Sequence, residues 1–172
     1  MPDPKFDRVE AIFYCYQNED EQYPNTGGRE GYHSGVIMIA SPTFNPTRLG
    51  LSSYPILVVP DELSLFNALH DLVVLTFDPE VLVGFECQAS SWGYLIDRAA
   101  SEFEGWDFQP ELGRIKDGGR ARGGGGKYNR EHKSAVKVTG RHVLNIWRML
   151  KGEITLLQYT FENVAWNLLK LR

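Results

Sequence analysis

One carboxylate, two hydroxyls and a carboxamide are the chemically capable side chains that this sequence sets at the ends of apolar runs. Glu86, Ser90 and Ser91 lie in Val83-Gly84-Phe85-Glu86-Cys87-Gln88-Ala89-Ser90-Ser91-Trp92-Gly93-Tyr94-Leu95, which reads as a strand end, a turn and a helix start; Asn145 lies in Gly140-Arg141-His142-Val143-Leu144-Asn145-Ile146-Trp147-Arg148. Oxygen ligands at such a turn would suit a hard divalent cation, and Mg²⁺ favours anionic oxygens in strict octahedral geometry. Phosphodiester hydrolysis by two metals requires several carboxylates converging on ions roughly 4 Å apart. Glu86 is the only carboxylate in these two stretches. The neutral groups of Ser91 and Asn145 cannot supply the missing charge. Glu86 could act as a substitute ligand; the alternative is a solvated or backbone-bonded carboxylate at a strand's C-terminal end.

The first stretch resembles a metal motif of the proofreading exonuclease domains of family B DNA polymerases, roughly G-Y-N-x-x-x-F-D-x-P-Y-L, in which the Asp holds catalytic Mg²⁺. Here Ser91 stands in the place of that Asp, Ser90 replaces the Phe, Gly93 the Pro, and Glu86 the Asn. The second stretch, with Tyr159-Thr160-Phe161-Glu162-Asn163-Val164 after it, is similar to another block of the same domains, where replicative members carry Asp at the position of Asn145. Ser-Trp-Gly-Tyr-Leu, Leu-Asn-x-Trp-Arg and Tyr-Thr-Phe-Glu-Asn-Val, taken in order, are similar to the exonuclease-like domain of the translesion branch of that family.

The resemblance implies a degenerate 3′–5′ exonuclease domain with no catalytic residue, no metal ligand and no cofactor of its own. It implies a ribonuclease-H-like α/β fold, a mixed sheet flanked by helices, running over residues 1–172 and truncated at both ends. The first carboxylate motif would precede Met1 and the third would follow Arg172, so the strands Val9 to Tyr16 and Val81 to Phe85 are expected to lack a central neighbour. The parent would be a DNA-directed polymerase with Mg²⁺ in its polymerase domain alone. Primer-template DNA, the other polymerase domains and accessory subunits would be its partners, and its location would be nuclear. The alternative is a free-standing ribonuclease-H-like nucleic-acid-binding or adaptor module.

Composition bounds these readings. At 172 residues the chain is about one domain long, with no internal repeat. Its formal net charge of −4 argues against strong nonspecific attraction of the whole chain to nucleic acid. Met1-Pro2-Asp3-Pro4-Lys5 lacks the basic flank and apolar core of a signal peptide, and no 18-residue apolar run suggests a membrane partner. Cys15 and Cys87 sit in apolar runs without a C-x-x-C pair, which predicts buried reduced thiols rather than zinc or a disulfide. His33, His70, His132 and His142 have no metal-ligand spacing. Trp92, Trp147 and Trp166 could stack on bases, but aromatics within periodic apolar segments are expected to pack in a core or interface.

The segment Gly113 to Lys127 holds seven glycines among Arg114, Lys116, Arg120, Arg122 and Lys127. Such a segment has little apolar area to offset its ordering entropy, and reads as a surface insertion. Arg120, Arg122 and Lys127 are candidate single-strand contacts. A phosphate loop is excluded because Tyr128 follows Lys127 where Ser or Thr is required.

The elements that must position these groups follow from patterning. Val9 to Tyr16 and Ser34 to Ala40 predict a strand pair, and Ile56 to Val59 a short third strand. Asp61 predicts the cap of a helix to about Phe77, closed by Pro79. Glu80 to Phe85 reads as a strand, Ser91 to Phe103 as a helix weakened by Gly93, and Val136 to Ile146 as a strand. Thr160 predicts the cap of a last helix carrying Phe161, Val164, Ala165, Leu168 and Leu169 on one face.

Overall fold

The computed structural model describes residues 2–18, 32–41, 47–48, 50–104, 106–115 and 136–170. They fall in two compact units, Met1–Asp78 and Pro79–Arg172.

In the first unit, β1 (Ala11–Gln17) pairs antiparallel with β2 (Tyr32–Ile39), which pairs parallel with β3 (Ile56–Val59). Ala11 stands opposite Met38, and Val36 opposite Ile56. The Val-Ile-Met-Ile run of β2 is buried throughout, as the middle strand of a three-stranded sheet should be. Helix α1 (Glu62–Asp71) starts where Asp61 accepts a hydrogen bond from Ser64 N, and its Leu65, Phe66 and Leu69 are buried. It packs on β2 and β3.

The predicted helix to Phe77 is regular only as far as Asp71. Leu72–Phe77 is a π-helical segment ending at Asp78, whose φ of 40° is left-handed, and Pro79 follows. The widened turns bring the Phe77 ring onto Tyr16, with centroids 4.2 Å apart and planes 13° from parallel. Cys15, predicted to be buried, is exposed, because alternation along β1 sends Phe13, Cys15 and Gln17 to the outer face.

In the second unit, β4 (Val81–Gly84) and β5 (His142–Asn145) are parallel, with Val81 opposite His142 and Gly84 opposite Asn145. Parallel strands need a crossover, and here it includes α2 (Ser91–Glu102) and α3 (Phe108–Glu111). Leu95, Ile96 and Ala99 of α2 are buried, as their spacing predicts, together with Leu82, Phe108, Leu112 and Val138. The strand predicted over residues 136–146 is confined to His142–Asn145. Gly140 has φ +85° and Arg141 N donates to Val138 O, so a turn replaces the earlier half. Arg141 is buried there, donating from Nε to Leu112 O at 2.7 Å and from Nη1 to Pro79 O at 2.6 Å.

Helix α4 (Ile146–Glu153) follows β5 at once, where the sequence patterning predicts no helix; α5 (Phe161–Leu169) closes the unit. Thr160 caps α5 as predicted, accepting from Asn163 N at 3.3 Å. Of the apolar face predicted on α5 only Val164 is buried, whereas Phe161, Leu168 and Leu169 are exposed. The strands thus form a three-stranded mixed sheet and a separate two-stranded parallel sheet, rather than one sheet, among the described residues.

Candidate functional site

Parallel pairing ends β4 and β5 side by side, and the carboxyl ends of parallel strands are where open α/β sheets place ligands. Both stretches singled out in the sequence meet at this corner. Phe85 O accepts from Trp147 N at 2.7 Å, which continues the contact past the strands into α4. The Phe85 ring meets Phe161 edge-on at 5.3 Å, so the same turn also seats α5.

Glu86 is the centre of the turn. Its Oε1 accepts from Gln88 N at 2.9 Å and from Asn145 Nδ2 at 3.3 Å, and its Oε2 accepts from Ala89 N at 2.7 Å and from Ser90 N at 3.2 Å. Partial burial pushes this carboxyl up, but the donors from Gln88, Ala89, Asn145 and Ser90 outweigh that and hold it below the ordinary glutamate range. Ser90 Oγ donates to Glu86 O at 2.9 Å and tightens the turn further. Of the two sequence readings of Glu86, the backbone-bonded one matches this geometry.

Asn145 uses both ends of its carboxamide. While Nδ2 reaches Glu86, Oδ1 accepts from Arg148 N at 3.2 Å and caps α4. Arg148 in turn donates to Gln88 Oε1 at 2.5 Å. No cap is predicted at Asn145, although an Asn ahead of Ile-Trp-Arg is the signal that marks one; the reach to Glu86, across 59 positions, has no sequence signal.

Ser91 is exposed at the first position of α2 with φ +51°, a left-handed conformation uncommon for serine. Its Oγ lies 2.5 Å from where a Cβ on Gly84 would sit, and Cys87 Sγ lies 2.8 Å from the same point. Gly84 is therefore required for the turn to close over the strand. Cys87, buried as predicted, lies 3.4 Å from Leu144 O and 3.6 Å from Gly84 O; burial, then the Glu86 charge, push its thiol up. Gly93 is needed too, since a Cβ there would overlap Gln88 O and stand 2.5 Å from Cys87 O.

This donor set does not fit Mg²⁺. Each oxygen of the one carboxylate already accepts two N–H donors, Ser91 offers a neutral hydroxyl, and Asn145 Nδ2 points at Glu86. Among the described residues no group of three or more His, Cys, Asp and Glu could hold a metal ion. His70 sits 3.1 Å from Asp71, and His132 lies outside the described residues.

The tryptophans differ in their surroundings. Trp92 Nε1 donates to Val83 O at 3.1 Å. Trp147 Nε1 donates to Tyr159 O at 3.1 Å, and Lys151 Nζ stands 3.7 Å above its ring. Trp166 is 42% exposed, which rules out the core half of the core-or-interface expectation. Arg120, Arg122 and Lys127, the candidate nucleic-acid contacts, lie outside the described residues, as does most of the glycine-rich segment. No described helix is long and apolar enough to cross a membrane.

Residues 1–164 match the family model for the DNA polymerase family B exonuclease domain. The chain is similar to the DNA polymerase zeta catalytic subunits of Saccharomyces cerevisiae (34% identity, 100% of this chain, 11% of the relative), Schizosaccharomyces pombe (36%, 98% and 11%) and Homo sapiens (32%, 99% and 6%). It therefore spans about a tenth or less of the length of these relatives.

Proposed function

Because this chain belongs to the exonuclease-domain family of the family B DNA polymerases, we propose that it is a noncatalytic, ribonuclease-H-like member of that family within a polymerase zeta catalytic subunit, with an architectural role in synthesis past lesions. The observation that carries this reading is the saturation of Glu86: the one carboxylate at the strand ends is consumed by three backbone donors and Asn145. A hydrolytic metal pair requires free anionic oxygens there. Ser91, at the position that resembles the family's metal-binding Asp, adds a hydroxyl without charge.

Loss of proofreading suits the proposed parent, since an active exonuclease would remove the mispaired ends that a translesion enzyme must extend. The parent supplies nucleotidyl transfer and its Mg²⁺ in the polymerase domain, holds the primer-template, and docks its accessory subunits in the nucleus. This domain contributes packing surfaces to that assembly, and the exposed Leu168 and Leu169 are consistent with such a role.

The test is digestion of an end-labelled single strand by the purified chain, and by the parent carrying it, in Mg²⁺ or Mn²⁺. No metal-dependent shortening is expected, and Ser91→Asp alone does not create it. Metal-dependent digestion by the unmodified protein that Glu86→Ala abolishes would overturn the reading and make Glu86 a ligand.

A further inference from the structure

We infer that the Glu86 carboxylate is a built-in anion that latches the β4–α2 turn to the first turn of α4, making it a positioning residue for this corner of the second unit. Three consecutive amides, Gln88, Ala89 and Ser90, point their N–H groups at one carboxylate. Convergent backbone donors of this kind form a concavity that favours an anion. Here the anion is covalently part of the turn. Its fourth donor, Asn145 Nδ2, belongs to the α4 cap, and Arg148 on that helix donates back to Gln88 of the turn. Two cross-links thus join segments that are about 60 positions apart in the chain.

The latch goes beyond the proposed loss of hydrolysis, because it assigns Glu86 a task that holds whatever the parent does. It also says why the corner needs an acid and an amide rather than two of either. Two carboxylates at 3.3 Å would repel, and two carboxamides would leave two of the four converging N–H groups without an acceptor. Among the described residues, the titratable and charged groups seen beside the latch include the Cys87 thiol, turned to Leu144 O, and the Arg148 guanidinium on Gln88.

Removing the charge should be felt through pH. A carboxyl held below its ordinary value contributes stability that is fully present above the unfolded pKa and is lost as pH falls through the folded pKa. The gap between the wild type and Glu86→Gln should therefore be widest near neutrality and should close as pH drops below the ordinary glutamate range.

The experiment follows unfolding of the full chain and the amide NMR signals of Gln88, Ala89 and Ser90 across that acid range, with EDTA and with Mg²⁺. Expected results are an unfolding equilibrium constant raised about tenfold by Glu86→Gln at neutral pH, and three amide signals that titrate together in the wild type. Asn145→Asp should destabilise at neutral pH, recover as pH falls, and cost less when combined with Glu86→Gln. If these substitutions prevent folding, the wild-type titration alone decides. Amides that do not titrate together, or a Glu86→Gln protein as stable as the wild type at neutral pH, would overturn the latch and leave the proposed loss of hydrolysis standing. A Mg²⁺-dependent stabilisation that Glu86→Gln abolishes would overturn both.

Discussion

Gly93→Ala sets two calculable effects against each other. Gly93 lies within α2, where replacing glycine by alanine ordinarily stabilises by about 1 kcal/mol through lower unfolded-state entropy and better helix propensity. The added methyl, however, would overlap Gln88 O and stand 2.5 Å from Cys87 O. Both are backbone atoms of a turn pinned by Glu86 and by the buried Cys87, so they cannot retreat as a flexible side chain could. Overpacking against fixed atoms costs about 1–3 kcal/mol and sometimes more. Overlap with backbone places the cost at the upper end of that range, and a net destabilisation of about 2 kcal/mol follows once the propensity gain is subtracted. Gly152→Ala is the control: it lies in α4 with nothing within 4 Å of a new Cβ, so the same substitution should stabilise there. Urea unfolding monitored by circular dichroism measures both, and unchanged slopes would confirm that the midpoints report stability. A Gly93→Ala protein as stable as Gly152→Ala would refute the close approach at the start of α2.

Thr160→Ala should lower stability by about 1 kcal/mol in the same assay, since it removes the acceptor for Asn163 N at the start of α5, and Thr160→Ser should restore most of it. Arg141→Met should cost about 1–3 kcal/mol, because the guanidinium is buried and serves both Leu112 O and Pro79 O; a near-neutral midpoint would show that those carbonyls find other donors.

Local signals in the sequence located many of the elements. Asp61 and Thr160 mark helix starts because a side-chain oxygen ahead of an apolar period can accept an otherwise orphaned N–H, and the structure uses both in that way. Ile56–Val59 is legible as a strand from β-branched residues bounded by turn formers. Residues 136–141 misled because Val136 and Val138 favour strand while Gly140, two residues on, adopts φ +85° and turns the chain. Helix α4 is hidden in the sequence because it follows β5 without an intervening turn, so Ile146 reads as the end of the strand's apolar run, and its eight residues are too few for a sustained helical period. The apolar stripe of α5 correctly named a face, but periodicity does not say what covers it, and Leu168 and Leu169 are exposed.

At the candidate site, residue types revealed the shortage of charge, since Ser91 and Asn145 are neutral in any fold. Glu86 was open to two readings because its decisive partners are three amides, which no side-chain pattern encodes, and an asparagine brought in by strand pairing.

The two cysteines differ in a way that turns the chain into its own probe. Cys15 faces outward on β1, while Cys87 is 2% exposed beneath the Glu86 turn. A thiol reagent therefore labels the first unit from the native state, whereas Cys87 reacts only when the turn opens and its thiol, raised by burial and by the neighbouring charge, gains access to water. With Cys15 blocked or replaced, the labelling rate of Cys87 becomes a clock for the local breathing of the motif itself, separable from unfolding of the whole chain.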